Sequence, residues 1–392
     1  MVCGEIAAGL ILGPSVFGRL FPGAFHAIFN PSVGQTFSIL SQLGLILLMF
    51  LIGLEFDFGH LSENKRTVLS VSLAGIAAPF ALGFGLGRVM HQQLGLGGHS
   101  INDASWINFA LFMATAMSIT AVPTLGRIMI ELNINRTRLG SPTISAAAIN
   151  DAAGWTILAF ITAVVRSTFD PVKMAAMVAG VLVYGLVMIL GVRPLVIRWA
   201  NRTLKKNGGD ISINALATLL VMVLLSAAVT NKIGIFSIFG AFMMGAVLYD
   251  HRELRDAVRR RLNDFVTAFF LPVFFTYTGL RTEMGAMTGG KLWLFCGLVL
   301  AAAIVGKFGG CTLAARANGL RWRESSIIGV MMNTRALMEL IVINVGYDLG
   351  IIPGTVFFML VFMAVFTTYM TTPILRRLIR GSEVQAQFEN AA

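Results

Sequence analysis

Charged residues and cysteines are both scarce in this chain. Only 12% of its 392 residues are charged, whereas 56% are apolar, and the mean hydropathy is +0.78. This composition excludes a globular enzyme with one large core and is typical of a polytopic membrane protein. The three cysteines, Cys3, Cys296 and Cys311, lie in apolar runs without metal-site spacing, so no disulfide framework or metal cluster is predicted.

Catalytic motifs are also missing. The sequence has no HExxH and no GxSxG, and the run GAMTGGKL at 285–292 has leucine where a phosphate loop needs Ser or Thr. We therefore predict that the chain is not an enzyme and uses no cofactor. A net charge of +11 would suggest nucleic acid in a soluble protein, but here the basic residues lie in loops between apolar runs. Nucleic-acid binding is not expected.

Long apolar runs are what the sequence does contain. Their length and lack of alternation predict helices rather than barrel strands, because backbone groups in lipid have no water to bond. The first run has only about thirteen residues before Pro14, short for a span of about 20, so we expect one helix to be missing upstream. The twelve predicted segments are 1–17, 37–56, 68–90, 105–131, 140–165, 172–195, 211–230, 233–249, 265–280, 291–315, 325–347 and 354–376.

The charges in the loops predict an orientation. Loops after even-numbered segments, together with the segment ends beside them, carry 21 Lys and Arg residues, and those after odd-numbered segments carry 7. Because basic loops stay in the cytoplasm, the even-side loops and the C-terminus are predicted to be cytoplasmic. The chain is accordingly expected to be an integral, multi-pass protein, with the bacterial inner membrane as its location.

The most informative motif is SAAAINDAAGWT, residues 145–156, in the middle of segment five. It places Asn150 and Asp151 in an apolar run of membrane-spanning length, with no basic residue between Arg138 and Arg166. An ionisable group at bilayer depth is expensive, which favours a functional site. The alternative is a polar pair that only holds two helices together.

Segment four is interrupted by polar residues and a proline. Ser118 and Thr120 are followed by Ala121 and by Pro123, which removes an amide donor and disfavours helical angles before it. The helix should kink or unwind here, and the freed carbonyls could coordinate a cation next to Asp151. An ordinary proline kink, satisfied by the hydroxyl groups, is the alternative.

Two further segments contain buried polar residues. Segment eleven has Asn333 and Thr334 at a predicted second break, followed by Arg335 and Glu339, which are four residues apart and can neutralise each other. Segment ten places Lys307 deep in a run that reads VGKFGG. An ammonium at this depth needs a carboxylate or a cluster of carbonyls, so Lys307 is either a charge partner of the site or a structural partner of a buried acid.

Other charged stretches are predicted to lie at the cytoplasmic surface. Glu55 and Asp57 follow segment two, where carboxylates are not costly, so a surface role is expected. The stretch 250–264, basic from Arg252 to Arg261, is predicted to form an interfacial helix that contacts anionic headgroups, unless it serves only as a topology determinant.

Seven motifs resemble, in the same order, those of the second branch of monovalent cation:proton antiporters, which includes Kef-type transporters and plant cation/H⁺ exchangers. The resemblance covers residues 1 to about 380, and the Asn150–Asp151 pair with the deep Lys307 is its specific part. The motifs are GEIAAGLILGPSVFGRLFP, LSQLGLILLMFLIGLEFD, TAMSITAVPTLGRIM, SAAAINDAAGW, LPVFFTYTGL, GKFGG and MMNTRALMELIVINVG.

The resemblance implies a sodium/proton antiporter fold with inverted repeats and two crossed broken helices, segments four and eleven. It implies a homodimer, with Lys307 opposite Asp151. Ala336 departs from the glycine common in relatives, and regulation by the family's soluble cytoplasmic domain is not expected. The implied division is scaffold 1–66, core 67–166, linker helix 167–205, scaffold 206–290, core 291–380 and cytoplasmic tail 381–392.

The resemblance also implies a mechanism, in which Asp151 binds either a proton or a Na⁺ or K⁺ ion. Asn150 stands where electrogenic relatives have a second acid, so one-to-one, electroneutral exchange is predicted, unless Lys307 also titrates. A Kef-like potassium efflux channel, a sodium-coupled organic-anion symporter and a non-transporting scaffold are the alternatives. The sequence does not choose between Na⁺ and K⁺.

Overall fold

The computed structural model describes residues 2–29, 31–55, 65–95, 106–132, 134, 137, 139–166, 171–335 and 337–380. These ranges are almost entirely helical and contain no strand, as the apolar runs predict. The helices are α1 Val2–Leu12, α2 Phe17–Leu20, α3 Pro22–Ile28, α4 Pro31–Glu55, α5 Lys65–Gln93, α6 Trp106–Ser118, α7 Val122–Glu131, α8 Gly140–Arg166, α9 Pro171–Val187, α10 Arg193–Lys206, α11 Ile213–Ile233, α12 Ser237–Ala246, α13 Arg252–Phe265, α14 Leu271–Leu280, α15 Gly290–Ile304, α16 Gly310–Ala317, α17 Trp322–Met332, α18 Leu337–Asp348 and α19 Gly354–Ile379.

Each of the twelve predicted segments contains a helix, but not all of these helices are long. By length and composition, seven described helices can cross a membrane, or eight if α17 and α18 count as one bent span. Segments one, four and eight contain shorter apolar helices. An interrupted segment such as segment four falls below this length criterion, because its two halves, α6 and α7, are each shorter than a full span.

Three pairs of helices are joined by a turn of π-helix. These turns are Met188–Val192 between α9 and α10, Val266–Phe270 between α13 and α14, and Val305–Gly309 between α15 and α16. The third turn contains Lys307. Single π turns inside α-helices are frequent at functional sites, which draws attention to this part of segment ten.

The chain divides into two compact units. The first contains Met1–Val16, Gly59–Leu158 and Leu280–Ala392, and the second contains Phe17–Phe58 and Ala159–Gly279. The first unit holds α5 to α7, most of α8 and α15 to α19, which are the elements of the candidate site. The division into core, linker and scaffold stays a prediction.

Glycines allow α5 to approach α6 closely in the first unit. A Cβ atom on Gly83 would lie 2.8 Å from the Cα atom of Ala114, and one on Gly87 would lie 2.8 Å from the Cα atom of Ala110. No side chain fits at such distances, so these two glycines of the run GFGLG, residues 83–87, allow the two helices to pack closely.

Glycines play the same part in the second unit, between α4 and α12. A Cβ atom on Gly53 would lie 2.2 Å from the carbonyl oxygen of Phe242, and one on Gly245 would lie 2.2 Å from that of Phe50. The two helices therefore pack backbone against backbone.

Several sequence predictions fall outside the described residues. They concern the side chain of Glu55, Asp57, Ala336 and the tail 381–392. The stretch 250–264 is described, and α13 confirms that it is helical, with Leu254 and Val258 buried on one face.

Candidate cation site

The interruption predicted in segment four is present. Helix α6 ends at Ser118 and α7 begins at Val122, so residues 119–121 form a buried, non-helical connection. Pro123 lies in the first turn of α7, where its missing N–H group has no helical partner to lose. The proline thus starts the second half-helix and does not kink a continuous one.

A second interruption lies in segment eleven. Helix α17 ends at Met332, α18 begins at Leu337, and the two are bent by 43°. Asn333, Thr334 and Arg335 occupy the connection and are buried. Their polar side chains replace apolar ones at the point where backbone groups lose their helical partners.

The two interruptions contact each other through their backbones. The amide of Ala121 donates a hydrogen bond to the carbonyl oxygen of Thr334 at 3.2 Å. The hydroxyl of Thr120 donates to the carbonyl oxygen of Met332 at 3.3 Å. The first connection therefore donates to the second, and the two bonds pair backbone groups that lack helical partners inside the unit.

Two buried cations cap the carboxyl end of α6. Arg335 donates to the carbonyl oxygens of Ala116 at 3.3 Å and Met117 at 2.7 Å, and Lys307 donates to that of Ser118. The last carbonyls of a helix lack intrahelical partners and carry partial negative charge. Both cations thus stabilise the half-helix that points at the break.

Lys307 does not form an ion pair with Asp151. Its ammonium group donates to the carbonyl oxygen of Gly75 at 2.8 Å, in addition to that of Ser118. Of the partners that the sequence allowed, a carboxylate or a cluster of carbonyls, the structure shows carbonyls. The role of Lys307 as a charge partner then rests on its positive charge and not on direct contact.

Arg335 and Glu339 form the pair that their spacing predicts. The Nη1 atom of Arg335 lies 3.1 Å from Oε1 of Glu339, and both side chains are fully buried. The four charged side chains with no exposed surface among the described residues are Asp151, Lys307, Arg335 and Glu339. Because Arg335 and Glu339 cancel, Asp151 and Lys307 determine the charge of the site.

Asn150 is held by a chain of side-chain hydrogen bonds. The hydroxyl of Ser72 on α5 donates to Oδ1 of Asn150 at 2.6 Å, and Nδ2 of Asn150 donates to the hydroxyl of Thr120 at 3.5 Å. The amide of Asn150 thus links α5 to the first break. Sequence reasoning missed Ser72, because a single serine in an apolar helix carries no local signal of its partner 78 residues away.

The face of α8 that carries Asp151 packs against the first break. Asn150 bonds Thr120, and a Cβ atom on Gly154 would lie 2.8 Å from Cγ1 of Ile119. Asp151 follows Asn150 directly and is three residues from Gly154, hence on the same side of the helix. The structure thus packs α8 against the first break through Asn150 and Gly154, and the grouping of Thr120 and Ala121 with Asp151 stays a prediction.

Asp151 is fully buried, and neither of its carboxylate oxygens has a hydrogen-bond partner among the described residues. Buried polar atoms are nearly always bonded, so two free oxygens on one acid require an explanation. A carboxylate in such surroundings must be neutralised, and either a proton or a bound cation does this. Asn333 Oδ1 and Thr334 Oγ1, in the second break, are also buried and have no hydrogen-bond partner within the described ranges.

Comparison with known proteins supports the predicted fold and family. The family model described as sodium/hydrogen exchanger, transmembrane, matches residues 1–380. The Na⁺/H⁺ antiporter NhaS4 of Synechocystis is 39% identical over 96% of this chain and 90% of its own length. Cation/H⁺ antiporter 18 of Arabidopsis thaliana is 35% identical over 95% of this chain, which spans about half of that protein, 45% of its length.

The fold is similar to that of a solved transporter. The sodium proton antiporter MjNhaP1 from Methanocaldococcus jannaschii superposes with a TM-score of 0.58, covering 100% of this chain and 91% of that chain at 17% identity. The likeness confirms the predicted all-helical fold with its two broken helices, at an identity too low to carry the site residues over.

Proposed function

Because the chain belongs to the sodium/hydrogen exchanger family, we propose that it is a secondary antiporter that exchanges Na⁺ or K⁺ for H⁺ through Asp151. The observation that carries this proposal is the fully buried carboxylate with two unbonded oxygens beside a broken helix. A proton and an alkali cation each neutralise the single negative charge of this carboxylate, and the two cannot bind it together.

Exclusive occupancy produces obligatory exchange. In the protonated form Asp151 is neutral and releases any cation, and in the ionised form it binds a cation with oxygens from its surroundings. The hydroxyl oxygen of Thr120, in the first break, accepts a hydrogen bond from Asn150, the residue before Asp151. If the unit exposes Asp151 to either side only when it is neutralised, each cation moved one way returns one proton.

The buried charges favour electroneutral exchange. Arg335 and Glu339 cancel, and electroneutral exchange requires that Lys307, which donates to two carbonyl oxygens, stays protonated in both loaded states. The site then carries one net positive charge both with protonated Asp151 and with ionised Asp151 plus a cation. Since the two loaded states have the same charge, membrane voltage does no work on the cycle.

Reconstituted protein tests the proposal directly. We expect a Na⁺ or K⁺ gradient to drive proton flux in proteoliposomes, Asp151→Asn to abolish it and Asp151→Glu to retain part of it. Asp256→Asn, which changes an exposed carboxylate, is the matched control and should keep the wild-type rate. Full exchange by Asp151→Asn would refute the assignment. Rates that depend on a clamped membrane potential would refute electroneutral exchange alone.

The chain is an integral multi-pass protein, since its family consists of transmembrane transporters and seven described helices can span a bilayer. We further propose a homodimer in the bacterial inner membrane with a cytoplasmic C-terminus. The loop charges support this orientation. Size-exclusion chromatography with light scattering tests the oligomer, and labelling of cysteines introduced into the loops tests the orientation.

A further inference from the structure

A groove runs along one face of the helix formed by α9, the π turn and α10. Its volume is about 380 Å³, within the range of small-molecule sites. All of its lining residues lie on one side of this helix, and the chemistry changes along it from apolar to basic. They are Ile189, Leu190, Arg193, Pro194, Ile197 and Arg198.

The position of the groove along the helix places it at the edge of the membrane. The span Ala175–Lys206 has 32 residues, or about 48 Å at about 1.5 Å per residue, whereas the hydrocarbon core is about 30 Å thick. About 20 residues from Ala175 cross the core, so Arg193 lies near its boundary. Ile189 and Leu190, both exposed, lie on the hydrocarbon side, and Arg198 lies about one turn beyond.

Most of this helix is not covered by the part of the chain that the structure describes. Only 11% of its most apolar stretch is buried, the lowest share among the seven candidate spans. Helix α10 carries five basic residues and no acidic one: its sequence is RPLVIRWANRTLKK. The surface is therefore apolar where acyl chains lie and positive where headgroups lie.

Arg193 retains hydrogen-bonding capacity. Its Nη2 atom pairs with Asp250, while its Nε atom is shielded and has no hydrogen-bond partner among the described residues. A guanidinium presents its donors in a planar fork that matches phosphate. Because this Nε is not accessible, an anionic group meets the remaining, partly exposed part of the Arg193 guanidinium and the exposed guanidinium of Arg198 beside it.

We propose that this groove binds an anionic phospholipid, with the headgroup phosphate between Arg193 and Arg198 and an acyl chain along Ile189, Leu190 and Ile197. The proposal does not depend on antiport activity. The site is distinct from the basic helix α13. Three arginines of that helix already face carboxylates within the second unit, Arg255 at Asp256 and Arg260 and Arg261 at Asp210.

The test uses the purified full-length protein, stripped of lipid and examined by native mass spectrometry. We expect phosphatidylglycerol to bind at least about tenfold more tightly than phosphatidylcholine, because both have the phosphate but the choline ammonium is repelled by the two arginines. Arg198→Ala should remove most of this preference without disturbing the Arg193 pair with Asp250. Arg202→Ala is the matched control on the same helix, since it lies outside the groove, and should bind like wild type.

Four results would overturn the proposal. Equal binding of the two lipids would show no anion site, and equal losses in Arg198→Ala and Arg202→Ala would show diffuse charge attraction only. Displacement of the lipid by inorganic phosphate at comparable concentration would show a site for soluble anions. If Arg198→Ala converts a dimer to monomers and leaves lipid binding unchanged, the groove seats a second copy of the chain.

Discussion

Replacing Ser72 by alanine should weaken the protein and its hold on the transported cation. The substitution removes the donor that bonds Oδ1 of Asn150 at 2.6 Å, and both side chains are buried. The lost bond and the unpaired acceptor together cost about 1–3 kcal/mol. Alanine is smaller than serine by one oxygen, so little cavity energy is added. We expect a lower melting temperature than wild type in detergent.

The same substitution should change transport, because the Asn150 amide orients Thr120. Without Ser72 the amide can turn, and its 3.5 Å bond to the Thr120 hydroxyl loses support. A disordered first break binds the cation less well, so the apparent KM for Na⁺ or K⁺ should rise by up to about tenfold for about 1.4 kcal/mol of lost binding. The maximal rate should change less. Proteoliposome flux measured over a cation titration gives both constants.

Two control variants decide between this reasoning and a general loss of stability. Ser72→Thr keeps a hydroxyl and should restore the KM. Ser70→Ala, two residues earlier on α5, removes a half-buried hydroxyl that donates to the carbonyl of Thr67 and is remote from Asn150. If Ser72→Ala and Ser70→Ala show the same KM, Ser72 does not position the amide and the proposed chain of bonds has no functional role.

Two further predictions concern charged residues. Arg335→Ala leaves a buried carboxylate unpaired and three backbone carbonyls uncapped, which costs about 3–5 kcal/mol. Fluorescence-detected size-exclusion chromatography should therefore show little folded protein. A normal monodisperse peak would contradict the structural role assigned to Arg335. The hydrogen bond from Arg261 lowers the pKa of Asp210 below its ordinary value of 3.8. The pair therefore stabilises the fold at pH values above 3.8, and this stabilisation is lost as the pH falls through the lowered pKa. The melting-temperature advantage of wild type over Asp210→Asn should therefore be small, present at neutral pH and absent in strong acid, and an advantage that grows on acidification would be incompatible with this sign.

Local chemistry made both helix breaks predictable. Pro123 and the polar residues before it interrupt segment four, and Asn333 and Thr334 interrupt segment eleven. The consequences of a missing amide donor, or of a polar pair in an apolar run, fall within one or two turns of the same helix. The fold class and family also followed from the sequence, and the comparisons confirm them.

The partners of the site residues could not be predicted, because they come from distant parts of the chain. Ser72 bonds a residue 78 positions away, and Lys307 bonds the carbonyl of Ser118, 189 positions away. Ser72 does not differ in sequence context from a serine that bonds its own helix. A sequence cannot indicate which carbonyls Lys307 bonds, because every residue has one. The carbonyl of Ser118 is available only because α6 ends there.

The capping of α6 narrows the choice of cation ligands. The sequence suggested that carbonyls freed at the first break would coordinate the ion, but those of Ala116, Met117 and Ser118 already accept bonds from Arg335 and Lys307. An alkali cation next to two positive groups would also be repelled. Under the proposed function, we therefore expect the oxygens of the ion site to come from Asp151 and from residues 119–121. The two cations cap the half-helix, and Asp151, whose carboxylate oxygens have no hydrogen-bond partner among the described residues, is the acid that we propose for the transported ion.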